Sequence, residues 1–218
     1  MHKYLYRSVN ARLCQLFVMT ALAISSFTAQ GGLIFINEIH YDNTGSDINE
    51  AIELAGSYGL STDTMFLRFY TGSNNTVYKT LSLKDQKFTN FNNGVGFLSL
   101  PISPLQNGPA DGIALFEGNR LIQFLSYEGS LTITDDLLNN VTSLDIGIHE
   151  NSSIPETGSM QLVGEGKSYE DFTWQHVSTN TFGNINQHQR FNAVAEPQLS
   201  TLLWLPLIYC FRRFSSNK

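Results

Sequence analysis

The sequence predicts an all-β fold, an antiparallel sandwich or barrel. Three observations predict it. No helical periodicity of any length runs between Gly31 and Asn192. Apolar and β-branched runs of five to nine residues recur instead, and clusters of Gly, Asn, Asp, Pro and Ser separate them. At 218 residues the chain is long enough for one domain with a sizeable core.

Taken in order, the first run is Leu33–Tyr41 (LIFINEIHY). As a strand it alternates, with Glu38 and His40 on one face and Asn37, Ile39 and Tyr41 on the other. Ala51–Ala55 (AIELA), Met65–Tyr70 (MFLRFY) and Thr76–Leu83 (TVYKTLSL) follow, rich in apolar, aromatic and β-branched residues. After Val95–Leu100 come Gly112–Glu117 and Leu121–Tyr127. These two meet at Gly118-Asn119, a two-residue hairpin turn with glycine first. Ser143–Ile148, Ser159–Val163 and Asp171–His176 complete the set. NNGVG and LQNGPADG read as turns or loops, and Phe172 and Trp174 as core. There is no internal repeat, and NAVAEPQ is the one hinge-like stretch.

Both ends read as sorting signals. Residues 1–26 place Lys3, Arg7 and Arg12 ahead of an apolar run, Leu13–Ile24, with Ala23 and Ser25 at the small-residue spacing of a cleavage site. That is the layout of a secretory signal peptide, with a retained anchor as the alternative. Residues 193–218 form a tail in which Glu196-Pro197 precedes an apolar stretch, Leu199–Phe211, and then Arg212 and Arg213. The tail resembles the bacterial PEP-CTERM sorting segment, which a membrane protease, exosortase, processes. Ala195 stands where that motif has its first proline. A plain membrane anchor through 199–213 is the rival reading, and the basic pair would then hold that end in the cytoplasm. Either way the domain is expected outside the cytoplasm, in the periplasm, the outer envelope or the extracellular space.

Cysteine and charge narrow the classes further. Cys14 and Cys210 fall in the two ends, so the domain between them has no disulfide, thiol nucleophile or cysteine metal site. Residues 31–195 hold 18 of the 19 acidic residues and seven of the 13 basic ones, a net charge of −11. A surface that acidic repels phosphate backbones, so nucleic acid is not an expected partner. An extracellular protein or a polysaccharide is.

The ordered motifs carry a resemblance. IFINEIHYDNTGSDINEAIELAG resembles the opening of a lamin tail domain, an N-E-I run followed by an acidic loop and a strand of the E-x-I-E-L type. LQNGPADGIALFEGNRLIQFLSYEG, SLDIGIHE, SMQLVGEG and DFTWQHVSTNTFGNIN are similar to the bacterial secreted branch of that family. The resemblance covers most of 33–192, within a domain expected over 31–192. It implies an immunoglobulin-like β-sandwich acting as a binding or accessory module with no agreed catalytic site. The nuclease and hydrolase domains that sit beside such modules are not carried over to this chain.

Candidate chemistry centres on the opening stretch, and three readings stay open. The first is a solvent-facing polar stripe on a sandwich strand. The second is calcium, which takes six to eight oxygen ligands: Asp42, Asn43, Asp47, Asn49 and Glu50 surround Gly45 in YDNTGSDINE, without EF-hand spacing. The third is a metal-dependent, nuclease-like hydrolase using Glu38, His40 and Asp42 with Glu50 or Glu53. No G-x-S-x-G, H-E-x-x-H, P-loop or dinucleotide motif occurs. His149, His176 and His188 read as surface or satisfied core histidines.

Overall fold

In the computed structural model, which describes residues 32–192, the apolar runs form strands stacked as two sheets. The expected signal peptide and tail lie outside the described residues. Along the chain the strands are β1 (Ile34–His40), β2 (Ala51–Ser57), β3 (Met65–Thr71), β4 (Thr76–Ser82), β5 (Thr89–Asn92), β6 (Val95–Pro101) and β7 (Gly112–Glu117). Then come β8 (Arg120–Ser126), β9 (Thr132–Ile133), β10 (Val141–Thr142), β11 (Leu144–Asp145), β12 (Ser159–Gly166), β13 (Phe172–Val177) and β14 (Gln189–Phe191). A single 3-10 turn, Tyr169–Asp171, precedes β13.

The first sheet runs β13-β12-β1-β2-β6-β5, with β14 paired to β12; the second runs β11-β8-β7-β3-β4. The pairings are antiparallel apart from β11 on β8 and β14 on β12, which are short and parallel. The fold is an immunoglobulin-like antiparallel β-sandwich. Between the sheets, Ile36, Ile39, Ile52 and Leu54 of the first pack against Leu67, Phe69, Ile113 and Leu115 of the second.

The outer faces are covered too. On the first sheet Phe35, Phe97, Leu162, Phe172 and Phe191 form a second, aromatic core, with ring centroids 5.2–6.3 Å apart for the Phe35–Phe172–Phe191 set. On the second sheet the 131–142 segment, with the β9–β10 hairpin, lays Leu131, Ile133 and Leu138 over Tyr70, Ala114, Phe116 and Phe124. Each covering segment removes from water an apolar sheet face that the alternation of strand side chains would otherwise expose.

All ten expected strands are found within a few residues. Ser143–Ile148 shortens to Leu144–Asp145, the part of that run that pairs with β8. The expected hairpin is present, with Glu117 opposite Arg120 and Gly118 at φ +54°. Phe172 is buried in the aromatic core, while Trp174 is half-buried and donates Nε1–H to the Tyr169 hydroxyl. Strands β5, β9, β10 and β14 are additions: each has two to four residues, too few for a period to register.

Close packing at the open end of the sandwich yields a prediction. Gly56 faces the Phe88 ring, and a Cβ there would lie 2.4 Å from Cζ. Gly56→Ala is expected to destabilise the fold by about 1–3 kcal/mol through overpacking. A urea melt checks this, and an unchanged midpoint would show that the ring moves freely.

Candidate functional site

The expected alternation along β1 breaks at one residue. Ile36 pairs with Leu54 and Glu38 with Glu53, leaving Asn37 as an extra residue in a bulge. Ile36 and Ile39 therefore both reach the inner core. Asn37 joins Glu38 on the outer side instead of sharing a face with Ile39. That outer side is not solvent. Asn37, Glu38, His40 and Glu53 are all fully buried, which corrects the expectation of a solvent-facing polar stripe. The covering chain is the segment after β13, which contributes Thr181, Gly183, Asn186 and Gln189 to the same polar layer.

The carboxylates and amides of that layer are matched. Glu38 accepts from Ser159 Oγ (2.6 Å), Gln161 Nε2 (2.9 Å), Thr181 N (2.8 Å) and Thr181 Oγ1 (2.9 Å). Glu53 accepts from Asn37 Nδ2 (2.9 Å) and Gly183 N (2.5 Å). Gln189 Nε2 donates to Asn37 Oδ1 (2.7 Å). Asn186 Nδ2 bridges two strands, donating to the Asn37 carbonyl (2.8 Å) and the Leu162 carbonyl (3.0 Å). Those carbonyls sit where the bulge and β14 interrupt the β1–β12 ladder, so the side chain supplies the bonds that backbone would have made.

Burial dominates the electrostatics. It pushes the Glu53 carboxyl up to about 8, although the Asn37 amide opposes it, and the neighbouring Glu38 adds to the rise. Glu38 is raised for the same first reason, against the bonds from Ser159, Thr181 and Gln161. At the next outward position, His40 Nδ1 lies 2.9 Å from Glu150 Oε1, both side chains being buried. Burial opposes charge on the ring, but the Glu150 hydrogen bond and charge outweigh it, so His40 is raised. Glu150 Oε2 also accepts from Tyr41 N (2.5 Å) and Asp42 N (3.0 Å), and the Tyr41 ring stacks on Tyr127 at 3.9 Å. His40 Nε2 is buried without a hydrogen-bond partner.

The five residues read as calcium ligands go separate ways. Asp42 and Asp47 face one another, and the Asp42 carboxyl is raised by burial and by that neighbour. Asn43 folds its side chain back onto Ile48, and Asn49 is exposed at φ +60°. Glu50 is buried and accepts from Leu105 N (2.6 Å). Among the described residues, no group of three or more His, Cys, Asp or Glu is placed to hold a metal. The hydrolase set divides likewise. Glu38 and Glu53 are neighbours in the polar layer, while His40 binds Glu150 and Asp42 faces Asp47. His149, His176 and His188 are exposed.

Sequence reasoning missed the surface features. A cleft of about 500 Å³ opens between the β3–β4 turn and the 106–111 segment, lined by Thr71, Ser73, Thr76, Tyr78 and Gln106. Asp111 in its wall is buried, with its two oxygens accepting from Gly72 N (2.8 Å) and Gly108 N (2.9 Å). A shallower groove of about 380 Å³ runs between Leu33–Phe35 and β8. No family model, curated protein or solved structure matches the chain. The stretches 34–56, 105–129 and 159–186 form the bulged β1 with β2, the cleft wall with the β7–β8 hairpin, and β12–β13 with the covering segment.

Proposed function

We propose that the chain is an exported, envelope- or surface-associated, non-enzymatic β-sandwich module of the lamin-tail-like kind that binds an extracellular protein or polysaccharide. One observation carries this reading. Of the carboxylates in the hydrolase set, Glu38, Glu50 and Glu53 are at most 4 % exposed and accept hydrogen bonds from their own chain, and only Asp42 is half-exposed, facing Asp47. A general base must reach the proton it abstracts. These carboxylates instead hold segments together, which suits a scaffold that presents its surface.

The rival is the metal-dependent hydrolase, and one assay separates the two. Purified chain with magnesium, manganese or zinc is expected to leave DNA and a phosphodiester reporter uncleaved. Turnover that disappears in His40→Ala would overturn the proposal. Calcium belongs to the same test. With only Asp42 and Asp47 face to face, about 1 mM calcium, the affinity range of extracellular modules, is expected to leave the melting temperature unchanged. A clear rise abolished by Asp47→Asn would establish the site. Export is tested by mass spectrometry of the mature protein from its native cell. A start after residue 26 supports the signal peptide, and the C-terminus distinguishes exosortase-type cleavage from a retained anchor.

A further inference from the structure

We infer that the cleft between the β3–β4 turn and the 106–111 segment is a binding site for a neutral saccharide. The inference rests on the reading of the chain as a binding module and names the site and its ligand class.

The cleft is preformed. Asp111 clamps its two walls together, accepting from Gly72 N on the β3–β4 turn (2.8 Å) and from Gly108 N on the facing segment (2.9 Å). The walls meet so closely at one end that a Cβ at Gly72 would strike the Pro109 carbonyl. Gln106 is held from both sides. Its N–H donates to the Tyr78 hydroxyl (3.2 Å), and its carbonyl accepts from the Tyr127 hydroxyl (2.5 Å). On the turn, Asn74 Oδ1 accepts from Thr76 N (3.2 Å) and Thr76 Oγ1 (2.5 Å). A site shaped before its ligand arrives avoids much of the ordering cost of binding.

The lining selects the ligand. A volume of about 500 Å³ is that of a small-ligand site. No Lys, Arg or His lines it, so an acidic sugar or a phosphate would shed its hydration without gaining a charged partner. Asp111, the one carboxylate of the lining, is buried with both oxygens engaged by the walls, so a basic ligand finds no open counter-charge. An apolar ligand would cut off from water the polar side chains of Ser73, Asn74, Thr76 and Gln106. What fits is an uncharged molecule rich in hydroxyl groups. Within the described residues the Gln106 side-chain amide and Asn74 Nδ2 bond nothing, and the Tyr78 hydroxyl accepts without donating. Tyr78 is also the one aromatic ring of the lining, apolar across its body and polar at its tip, a surface suited to the C–H side of a pyranose.

Affinity electrophoresis of the full chain tests this, with soluble barley β-glucan, galactomannan and dextran as neutral probes and alginate as the acidic one. At least one neutral polymer is expected to retard the protein, and alginate is not. Ser73 is exposed in the lining, so Ser73→Trp should fill the cleft and abolish the retardation. Gln106→Ala, which removes an amide with no partner in the fold, should weaken it about two- to tenfold, the worth of one hydrogen bond. Both variants should melt at the wild-type temperature; if Ser73→Trp does not, Gln106→Ala decides. Retardation by none of the neutral polymers, stronger retardation by alginate, or retardation unchanged in both variants would overturn the inference. A neutral polymer bound equally by wild type and both variants removes the cleft and leaves the binding-module reading standing. One bound in the cleft and shortened there keeps the site and refutes the non-enzymatic reading, so the two fail separately.

Discussion

Glu150→Ala is expected to cost about 3–5 kcal/mol of folding stability, the range for removing one partner of a buried charged pair. Three donors lose their acceptor at once: His40 Nδ1 and the backbone N–H groups of Tyr41 and Asp42. The His40 and Tyr41 donors have no water to turn to, both residues being fully buried, while Asp42 is half-buried. The Tyr41–Tyr127 stack beside them would loosen as well, because the Tyr41 hydroxyl accepts from Glu150 N (2.9 Å) and the loop carrying it would drift. Glu150→Gln keeps one acceptor oxygen and should lose less. Equilibrium urea denaturation of both variants decides the point, and a loss below about 1 kcal/mol for the alanine variant would show that the pair is dispensable.

The second large effect concerns pH. Glu53 in the folded chain is pushed up to about 8 from an unfolded value near 4.5. A raised carboxyl keeps its proton in the native state while the unfolded chain has released it. Its contribution is therefore fully present below about 4.5 and is lost as pH climbs to about 8, at about 1.4 kcal/mol per unit. Glu38 is raised too and acts in the same direction. His40, raised above 6.5, adds stability that fades as pH passes its folded value. The domain should thus be firmest in mild acid and soften toward pH 8. Glu53→Gln should flatten the fall between pH 5 and 8. Urea melts at three pH values measure both slopes, and parallel slopes for the two proteins would refute the assignment.

Much of the architecture was legible in the sequence because strand patterning depends on near neighbours. The Gly118-Asn119 turn, the aromatic run of β3 and the apolar β7 announce themselves locally. The N-G dipeptide at 93–94 could have revealed β5, since Asn92 pairs with Val95 across it and both turn residues have positive φ. What stayed hidden comes from far along the chain. A period-two reading assigns Glu38 to water, yet its donors stand 121 and 143 residues away at Ser159 and Thr181. Glu53 waits on Gly183, 130 residues on. The bulge at Asn37 was equally invisible, because nothing in N-E-I marks an unpaired residue until Gln189 and Asn186 arrive to bond it. The stretch was correctly singled out as chemically unusual. Its charges are unusual because they are enclosed.

The two ends of the described chain enter the same sheet on the same neighbour. β1 pairs with Met160 and Gln161 of β12, and β14 pairs with Gly164–Gly166 of that strand, followed by Asn192 N on the Gly166 carbonyl (2.8 Å). Tension applied between the two ends would accordingly pass through this one central trio and its side-chain rivets at Asn186. The opposite sheet is tied to the same trio where Ile36 N donates to Gln123 Oε1 of β8 (2.8 Å), so load on β1 would reach it there.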